Sequence, residues 1–194
     1  MHKLTRDNIH SLEQYADIRD DFRNEVLLHK RSRRIELGSN TALYFEDRLT
    51  VQYQVQEMLR IERIFEADDI EEELDTYNPL IPDGSNWKAT FMVEIPDVDE
   101  RRVMLGQLIG VEDNVYMRVG DLGRVFAIAD EDLERSNDNK TSAVHFLRFE
   151  LSAEQAAAVK QGAALAAGID HDNYVVEVSP VAENVRLSLL ADLD

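Results

Sequence analysis

The hydrophobic periodicity of the chain changes near residue 80, and this change limits the folds that the sequence can adopt. Before that point, apolar residues recur at helical spacing, so that Ile18, Phe22 and Val26 fall on one stripe. After it, apolar and polar residues alternate over 87–95, which is typical of a half-buried β-strand. The pattern predicts an α+β fold: a helical N-terminal part packed on a mixed, mainly antiparallel sheet with flanking helices.

Three helices are predicted in the first part of the chain. Ser11 and Gln14 form a capping-box pattern that begins the first helix, which runs to about Arg33. The second covers about 50–65, and the acidic run at 66–75 forms a third, solvated helix. The segment NPLIPDG at 78–84 is the best place to divide the chain. We therefore expect a single domain over 1–194, with a helical part of about 1–77 and a sheet-plus-helix part of about 85–194.

Further strands are predicted at about 42–46, 115–119, 125–129, 141–151 and 174–178, and further helices at about 99–108, 152–162 and from Pro180. Two polar segments are expected to be loops, DEDLERSNDNK at 130–140 and DHD at 170–172. The first resembles a divalent-ion loop only in charge. It lacks the alternating ligand spacing and the central glycine of a calcium-binding EF-hand loop.

Composition excludes several function classes. The 194 residues carry a net charge of −18, which repels nucleic-acid backbones and anionic lipids. The absence of cysteine excludes disulfides and cysteine-ligated iron–sulfur clusters, and it suits a reducing compartment. No apolar run is long enough for a membrane span, and the N-terminus lacks the pattern of a signal peptide. We expect a cytoplasmic protein that binds neither nucleic acid nor membrane.

Three ionisable side chains occupy positions where the periodicity predicts burial. His29 continues the apolar stripe of the first helix, Glu62 lies on the apolar face of the second, and His145 lies on the apolar face of the strand at 141–151. Burial of such groups is costly unless they are neutralised, paired or bound to a metal. We therefore predict a metal site formed by His29, Glu62 and His145, a set that suits iron, manganese or zinc.

Two further glutamates are candidates for this site, as extra ligands or as groups that orient a histidine. Glu25 precedes His29 by four residues on the same side of the helix, and Glu57 lies in the second helix. The alternative is that each group is satisfied separately. In that case His29 donates to a carbonyl, Glu62 pairs with an arginine and His145 bonds across the sheet.

One basic cluster, at residues 30–34, suggests an anion-binding role for Arg31, Arg33 and Arg34. The alternative is that these cations complement the dipole at the end of the first helix. Neither a Gly-rich phosphate loop nor a Gly-x-Ser-x-Gly elbow is present, so nucleoside-triphosphate and serine-hydrolase chemistry are not expected.

Five strings resemble a bacterial family catalogued as domain of unknown function 3501. They are HKRSRRIELG at 29–38, YFEDRLTVQYQVQEMLRIERIF at 44–65, ELDTYNPLIPDGSNWKATFMVEIPD at 73–97, IADEDLERSNDNKTSAVHFLRFEL at 128–151 and GIDHDNY at 168–174. The resemblance covers nearly the whole chain. It implies a genomic setting beside rubrerythrin-like proteins and iron–sulfur oxidoreductases, and hence a role near peroxide defence or electron transfer. It carries no catalytic residue over to this chain.

Two functions from different classes follow. The first is a metal-binding protein (Fe, Mn or Zn) in redox or peroxide-stress metabolism, whether or not it is an enzyme. The second is a non-catalytic accessory or assembly partner of a rubrerythrin or iron–sulfur oxidoreductase system, steered to a redox partner protein by the acidic surface.

Overall fold

The structure is a computed structural model that describes residues 2–137 and 139–194. Within this part of the chain, the helices are α1 (Leu12–Lys30), α2 (Arg48–Glu62), α3 (Ala67–Tyr77), α4 (Val98–Gln107), α5 (Ala153–Lys160) and α6 (Glu183–Leu190). The strands are β1 (Arg34–Glu36), β2 (Thr41–Glu46), β3 (Asn86–Val93), β4 (Val115–Val119), β5 (Arg124–Phe126), β6 (Ile128–Ala129), β7 (Val144–Glu150), β8 (Leu165–His171) and β9 (Tyr174–Val178). Short 3₁₀ helices cover Arg6–Asn8, Asn78–Leu80 and Val111–Asn114.

The strands form two antiparallel sheets, which confirms the predicted α+β class. The first sheet has the order β1-β2-β3-β7-β6, and the second has the order β5-β4-β8-β9. The predicted mixed sheet is thus divided in two, and the strand pairs within each sheet are antiparallel. No helix among the described residues is long and apolar enough to cross a membrane.

Strands β3 and β7 lie side by side in the first sheet and bury one face each. Trp87 pairs with Phe149, and Phe91 pairs with His145; all four side chains are fully buried. Trp87, Phe91 and Phe149 belong to the larger hydrophobic core, which also contains alternate residues of β4 and β8. Burial of a large apolar side chain contributes about 1.5–3 kcal/mol, so this face holds the sheets together.

The helical part has a second, smaller core made by Leu4, Val51, Val55, Leu59, Leu74 and Ile81. Asn78 ties the N-terminal segment to this core. Its side chain accepts a hydrogen bond from the backbone N–H of Leu4 at 2.7 Å and donates one to the carbonyl of Leu4 at 2.9 Å. Both backbone groups of a buried residue are thereby satisfied.

Strands β1 and β8 were not predicted. The prediction that residues 170–172 form a loop is wrong for Asp170 and His171, which end β8. The apolar, small-residue run LAAGI gives no alternation because β8 pairs with β4 on one side and β9 on the other and is buried along most of its length. The predicted polar loop at 130–140 includes Asp138, which lies outside the described residues.

A buried ion-pair network joins the end of α1 to the C-terminal segment. Arg33 Nη2 donates to Asp192 Oδ2 at 2.5 Å, and its Nε donates to the Phe45 carbonyl at 3.1 Å. Asp47 lies on the same guanidinium, with Oδ2 at 3.4 Å from Arg33 Nε. Burial raises the pKa of Asp192 to about 6, although Arg33 opposes the shift.

We predict that the Asp192 carboxyl makes stability depend on pH. Its folded-state pKa lies above the ordinary value of 3.8, so its contribution is fully present below that value and is lost as the pH rises through about 6. Between these limits, the unfolding free energy of wild type relative to Asp192→Asn should fall by roughly 2–3 kcal/mol. Urea unfolding at a series of pH values measures this difference.

The exposed Asp17→Asn variant is the control, and it should change the unfolding free energy by less than about 0.5 kcal/mol. The comparison uses differences because carboxyl groups with a lowered pKa, such as Glu57 at about 2, change stability in the opposite direction. A flat difference for Asp192→Asn would contradict the prediction.

Candidate metal centre

His145 lies on the inner face of β7 and is fully buried. Its Nδ1 is 2.6 Å from Oδ2 of Asp130, and its Nε2 is 2.8 Å from the hydroxyl of Thr141 and 3.1 Å from the carbonyl of Ser142. Since a carboxylate only accepts hydrogen bonds, Nδ1 carries the proton donated to Asp130. This fixes the orientation of the ring.

Asp130 follows the end of β6 and has a left-handed backbone, with φ of 50°. Its N–H donates to the Phe146 carbonyl at 2.8 Å, and its Oδ1 accepts from the Phe146 N–H at 3.0 Å. This conformation is uncommon outside glycine, although aspartate tolerates it better than most residues. The two bonds to β7 hold it there and direct the carboxylate at His145.

Glu112 lies in the 3₁₀ helix Val111–Asn114 and is buried. Its Oε2 accepts a hydrogen bond from Thr141 at 3.1 Å and is 3.8 Å from His145 Nε2. Its Oε1 accepts a short hydrogen bond from the Ser136 hydroxyl. Glu112 therefore approaches His145 from the side opposite to Asp130.

We call Glu112, Asp130 and His145 the carboxylate–histidine cluster. Each offers one ligand atom, and these atoms all lie within 4.8 Å of one another. Within the described part of the chain, this is the one group of three or more His, Asp and Glu residues with such spacing. Nitrogen and carboxylate oxygen donors of this kind bind divalent transition metals.

The surroundings of the cluster are negative. Partial desolvation, together with the carboxylates of Glu112 and Asp130, raises the pKa of the adjacent Asp113. Arg135 Nη1 donates to Asp130 Oδ1 at 3.1 Å, but the same guanidinium also binds Asp132 and lowers its pKa to about 2. The negative charge of the local carboxylates therefore exceeds the positive charge that Arg135 supplies.

A cavity of about 360 Å³ opens beside the cluster. Glu112, Asp130 and Ser136 contribute to its wall, together with Glu134 and Arg135. The carboxylates are thus reachable from the surface, while the imidazole behind them is shielded from water.

The structure brings His145, but not His29 or Glu62, into this cluster. His29 lies at the end of α1, where its Nε2 is 2.5 Å from Asp47 Oδ2. Asp47 in turn caps α2 by accepting from the N–H groups of Leu49 and Thr50. The expectation that Glu62 is buried is wrong: it is exposed, because Leu59 is the last residue of α2 that reaches the core and the residues directly after it, Ile61 and Arg63 included, face solvent.

The two additional glutamates also lie elsewhere. Glu25 is exposed on α1. Glu57 accepts hydrogen bonds from Tyr15 at 2.8 Å and from Arg19 Nε at 2.7 Å. Its pairing with Arg19 lowers its pKa to about 2, so Glu57 fastens α2 to α1 and does not approach His145.

The three arginines do not form a common anion site. Arg33 is buried and already bound to Asp192, which leaves no room for an external anion. Arg34 pairs with Glu36 and Glu94 on the sheet. Arg31 is exposed at the end of α1.

Sequence reasoning missed Glu112 and Asp130 as partners of His145. The signal for Asp130 was present, since it is the first residue of a polar run directly after a predicted strand. Glu112 gave no signal, because a short 3₁₀ helix has no apolar periodicity.

The fold and the cluster define an α+β protein of two antiparallel sheets whose buried histidine is held between two carboxylates. The chain belongs to the DUF3501 family, described as a protein of unknown function, which it matches over residues 3–193.

Among solved structures, the chain is similar to a novel protein of unknown function from Burkholderia pseudomallei K96243. The two sequences are 48% identical, the match covers 100% of each chain, and the TM-score is 0.94. No curated protein matches this sequence significantly. The comparisons therefore identify the family and the fold.

We predict that Thr141 stabilises the cluster through its hydroxyl. Thr141→Val should lower the unfolding free energy by about 1–3 kcal/mol in chelator-treated protein, because it removes a hydrogen-bond partner of both Glu112 and His145. Urea unfolding measures this. Thr76→Val is the control. Its exposed hydroxyl donates to the Glu72 carbonyl of the same helix, so the substitution should change stability by less than about 0.5 kcal/mol. Equal effects of the two substitutions would contradict the prediction.

Proposed function

We propose that this protein binds a divalent transition metal, iron, manganese or zinc, at the carboxylate–histidine cluster, and that it acts in redox or peroxide-stress metabolism. The observation that carries the proposal is a buried imidazole placed between two carboxylates in a negative pocket. A cation would neutralise the excess charge that Glu112, Asp113 and Asp130 create there.

The hydrogen bonds assign different roles to the two carboxylates. Asp130 accepts the Nδ1 proton of His145 and so orients the ring, as a carboxylate does behind a metal-binding histidine. A bound ion would take the lone pair of the other ring nitrogen, Nε2, in place of the hydrogen bonds that this nitrogen makes now, and Oε2 of Glu112 is 3.8 Å from it. Metal bonds to these donors are about 2.0–2.2 Å long, so one ion can bind both atoms at this separation.

Oxygen donors close to Nε2 would complete the coordination. The hydroxyl of Thr141 and the carbonyl of Ser142 lie 2.8 and 3.1 Å from this nitrogen. A set of one imidazole and several oxygens favours iron, manganese or zinc over metals that prefer sulfur. The redox setting and the cytoplasmic location rest on the family resemblance and on the lack of cysteine.

The competing explanation is a purely structural network. The hydroxyls of Ser136 and Thr141 already donate to Glu112, so the cluster is hydrogen-bonded as it stands. Metal content separates the two explanations, because a structural network would hold no stoichiometric ion.

We predict that untagged protein, reconstituted with Fe(II), Mn(II) and Zn(II) in turn and desalted, retains close to one equivalent of one of them. Mass-spectrometric elemental analysis measures this. His145→Ala and Glu112→Gln should each lower the retained metal at least about tenfold, since each removes a direct ligand. His29→Ala removes another imidazole paired with a carboxylate, and it should retain the metal.

Circular dichroism of each variant shows whether it remains folded. If His145→Ala is unfolded, the test rests on Glu112→Gln, the more conservative substitution. Retention below about a tenth of an equivalent by wild type, or equal retention by Glu112→Gln and wild type, would overturn the metal assignment.

A second candidate function, association with a basic redox partner such as a rubrerythrin-like or iron–sulfur protein, is favoured by α3. Its acidic residues are Asp68, Asp69, Glu71, Glu72, Glu73 and Asp75. None of them forms an ion pair with a described residue. Burial and the neighbouring Glu62 and Glu72 raise the pKa of Glu73. Uncompensated charge of this kind steers encounter with a positive surface.

For this role we predict that affinity for a purified rubrerythrin-like protein, measured by calorimetry, falls steeply as ionic strength rises. Glu71→Lys with Glu72→Lys should weaken binding roughly tenfold at low salt. Glu154→Lys, an exposed reversal on α5, is the control. An affinity that changes neither with ionic strength nor with the two α3 substitutions would contradict the accessory role.

A further inference from the structure

A groove crosses the outer face of the first sheet, beneath the helical part. Two adjoining cavities of about 280 and 510 Å³ form it, and they share the walls made by Tyr77, Leu80 and Phe146. We call this feature the outer groove. It lies between the two hydrophobic cores, and its size is that of a site for a small organic molecule.

The strand register explains the floor of the outer groove. Antiparallel pairing of β3 with β7 sets Met92 beside Val144, Thr90 beside Phe146, and Lys88 beside Arg148. These side chains point away from the core that holds His145, because neighbouring residues of a strand face opposite sides. The floor is thus apolar at one end and cationic at the other.

Lys88 differs from the other charged groups on this floor. Arg148 binds Glu131 and Glu150, and Glu46 accepts hydrogen bonds from Thr50 and Thr90. Within the part of the chain that the structure describes, the half-buried Lys88 has neither a hydrogen bond nor an ion pair. Burial, and then the neighbouring Arg148, lower its pKa, and the carboxylates of Glu131, Asp83 and Glu150 oppose the shift. An unpaired ammonium in this position gains from an anionic partner.

We propose that the outer groove binds a small monocarboxylate with an apolar body, whose carboxylate pairs with Lys88. The body would lie along Phe146, Val144 and Met92, against the wall of Tyr77 and Leu80. A monoanion fits better than a phosphate. The floor offers the single ammonium of Lys88, and the two arginines of the groove, Arg135 and Arg148, already bind carboxylates, so neither presents a free fork to phosphate oxygens.

This site is separate from the carboxylate–histidine cluster. The two lie on opposite faces of β7, and Arg135 is the residue that lines both cavities. Variants for the test therefore leave Arg135 unchanged, and failure of metal binding leaves this proposal standing.

The probe is 3-phenylpropionate, titrated into ¹⁵N-labelled protein and followed by two-dimensional NMR. The expected result is saturable shifts at the amides of β3, β7 and the 3₁₀ helix Asn78–Leu80. Its neutral analogue, 3-phenylpropanamide, should bind roughly 10- to 100-fold more weakly, because it cannot form the charged pair.

Lys88→Met keeps an unbranched apolar stem and removes the ammonium. It should therefore weaken binding of 3-phenylpropionate by the same factor and leave the affinity for the amide unchanged. Lys160→Met, an exposed lysine on α5, is the matched control and should bind both probes as wild type does. The stability of Lys88→Met, measured by urea unfolding, should equal or exceed that of wild type. If it does not fold, Lys88→Gln replaces it.

Shifts outside the outer groove, no shifts at all, or equal affinity of the acid and the amide would overturn the proposal. Tighter binding of inorganic phosphate than of 3-phenylpropionate at Lys88 would also overturn the assignment of the ligand class.

Discussion

The pairing of β3 with β7 is the constraint on which the rest of the structure depends. It sets Phe91 opposite His145 on one face and Thr90 opposite Phe146 on the other. Because side chains alternate along a strand, a slip of one residue would move the histidine to the outside and the charged residues to the core. The large apolar side chains of the inner face, Trp87 and Phe149 among them, make such a slip costly. The strand register therefore determines the position of the buried imidazole, together with its hydrogen bonds.

The features of the fold that could be predicted from the sequence are those that local periodicity and capping residues determine. Alternation marked both central strands and put His145 on the buried face, and a capping box marked the start of α1 at Ser11. Asp130 was marked only as the first residue of a polar run, and its contact with His145, 15 positions along the chain, was not predictable. Glu112 gave no signal, because it lies more than 30 positions away in a segment without a periodic pattern. A one-dimensional pattern shows which way a side chain points, and the fold decides what it meets.

Glu62 and His29 are the residues for which helical periodicity predicted burial incorrectly. Both continue an apolar stripe in the sequence, yet neither is buried in the core. A helical stripe gives the direction of a side chain but not the point at which the neighbouring element ends. Glu62 lies beyond that point on α2, and His29 meets the aspartate that caps the next helix. An apolar stripe is therefore a poor predictor of burial for ionisable residues in the last turn of a helix.

Arg135 connects the candidate metal centre with the outer groove. Its guanidinium pairs with Asp130 and also stacks over the ring of Phe146, with Cζ 4.6 Å from the ring centroid. One side chain thus forms part of the border of two separate cavities. The same guanidinium supplies the positive charge beside Asp130 and the cation over Phe146. If ligands in the two cavities were coupled through Arg135, thermodynamic linkage would make the coupling reciprocal, by the same factor in both directions.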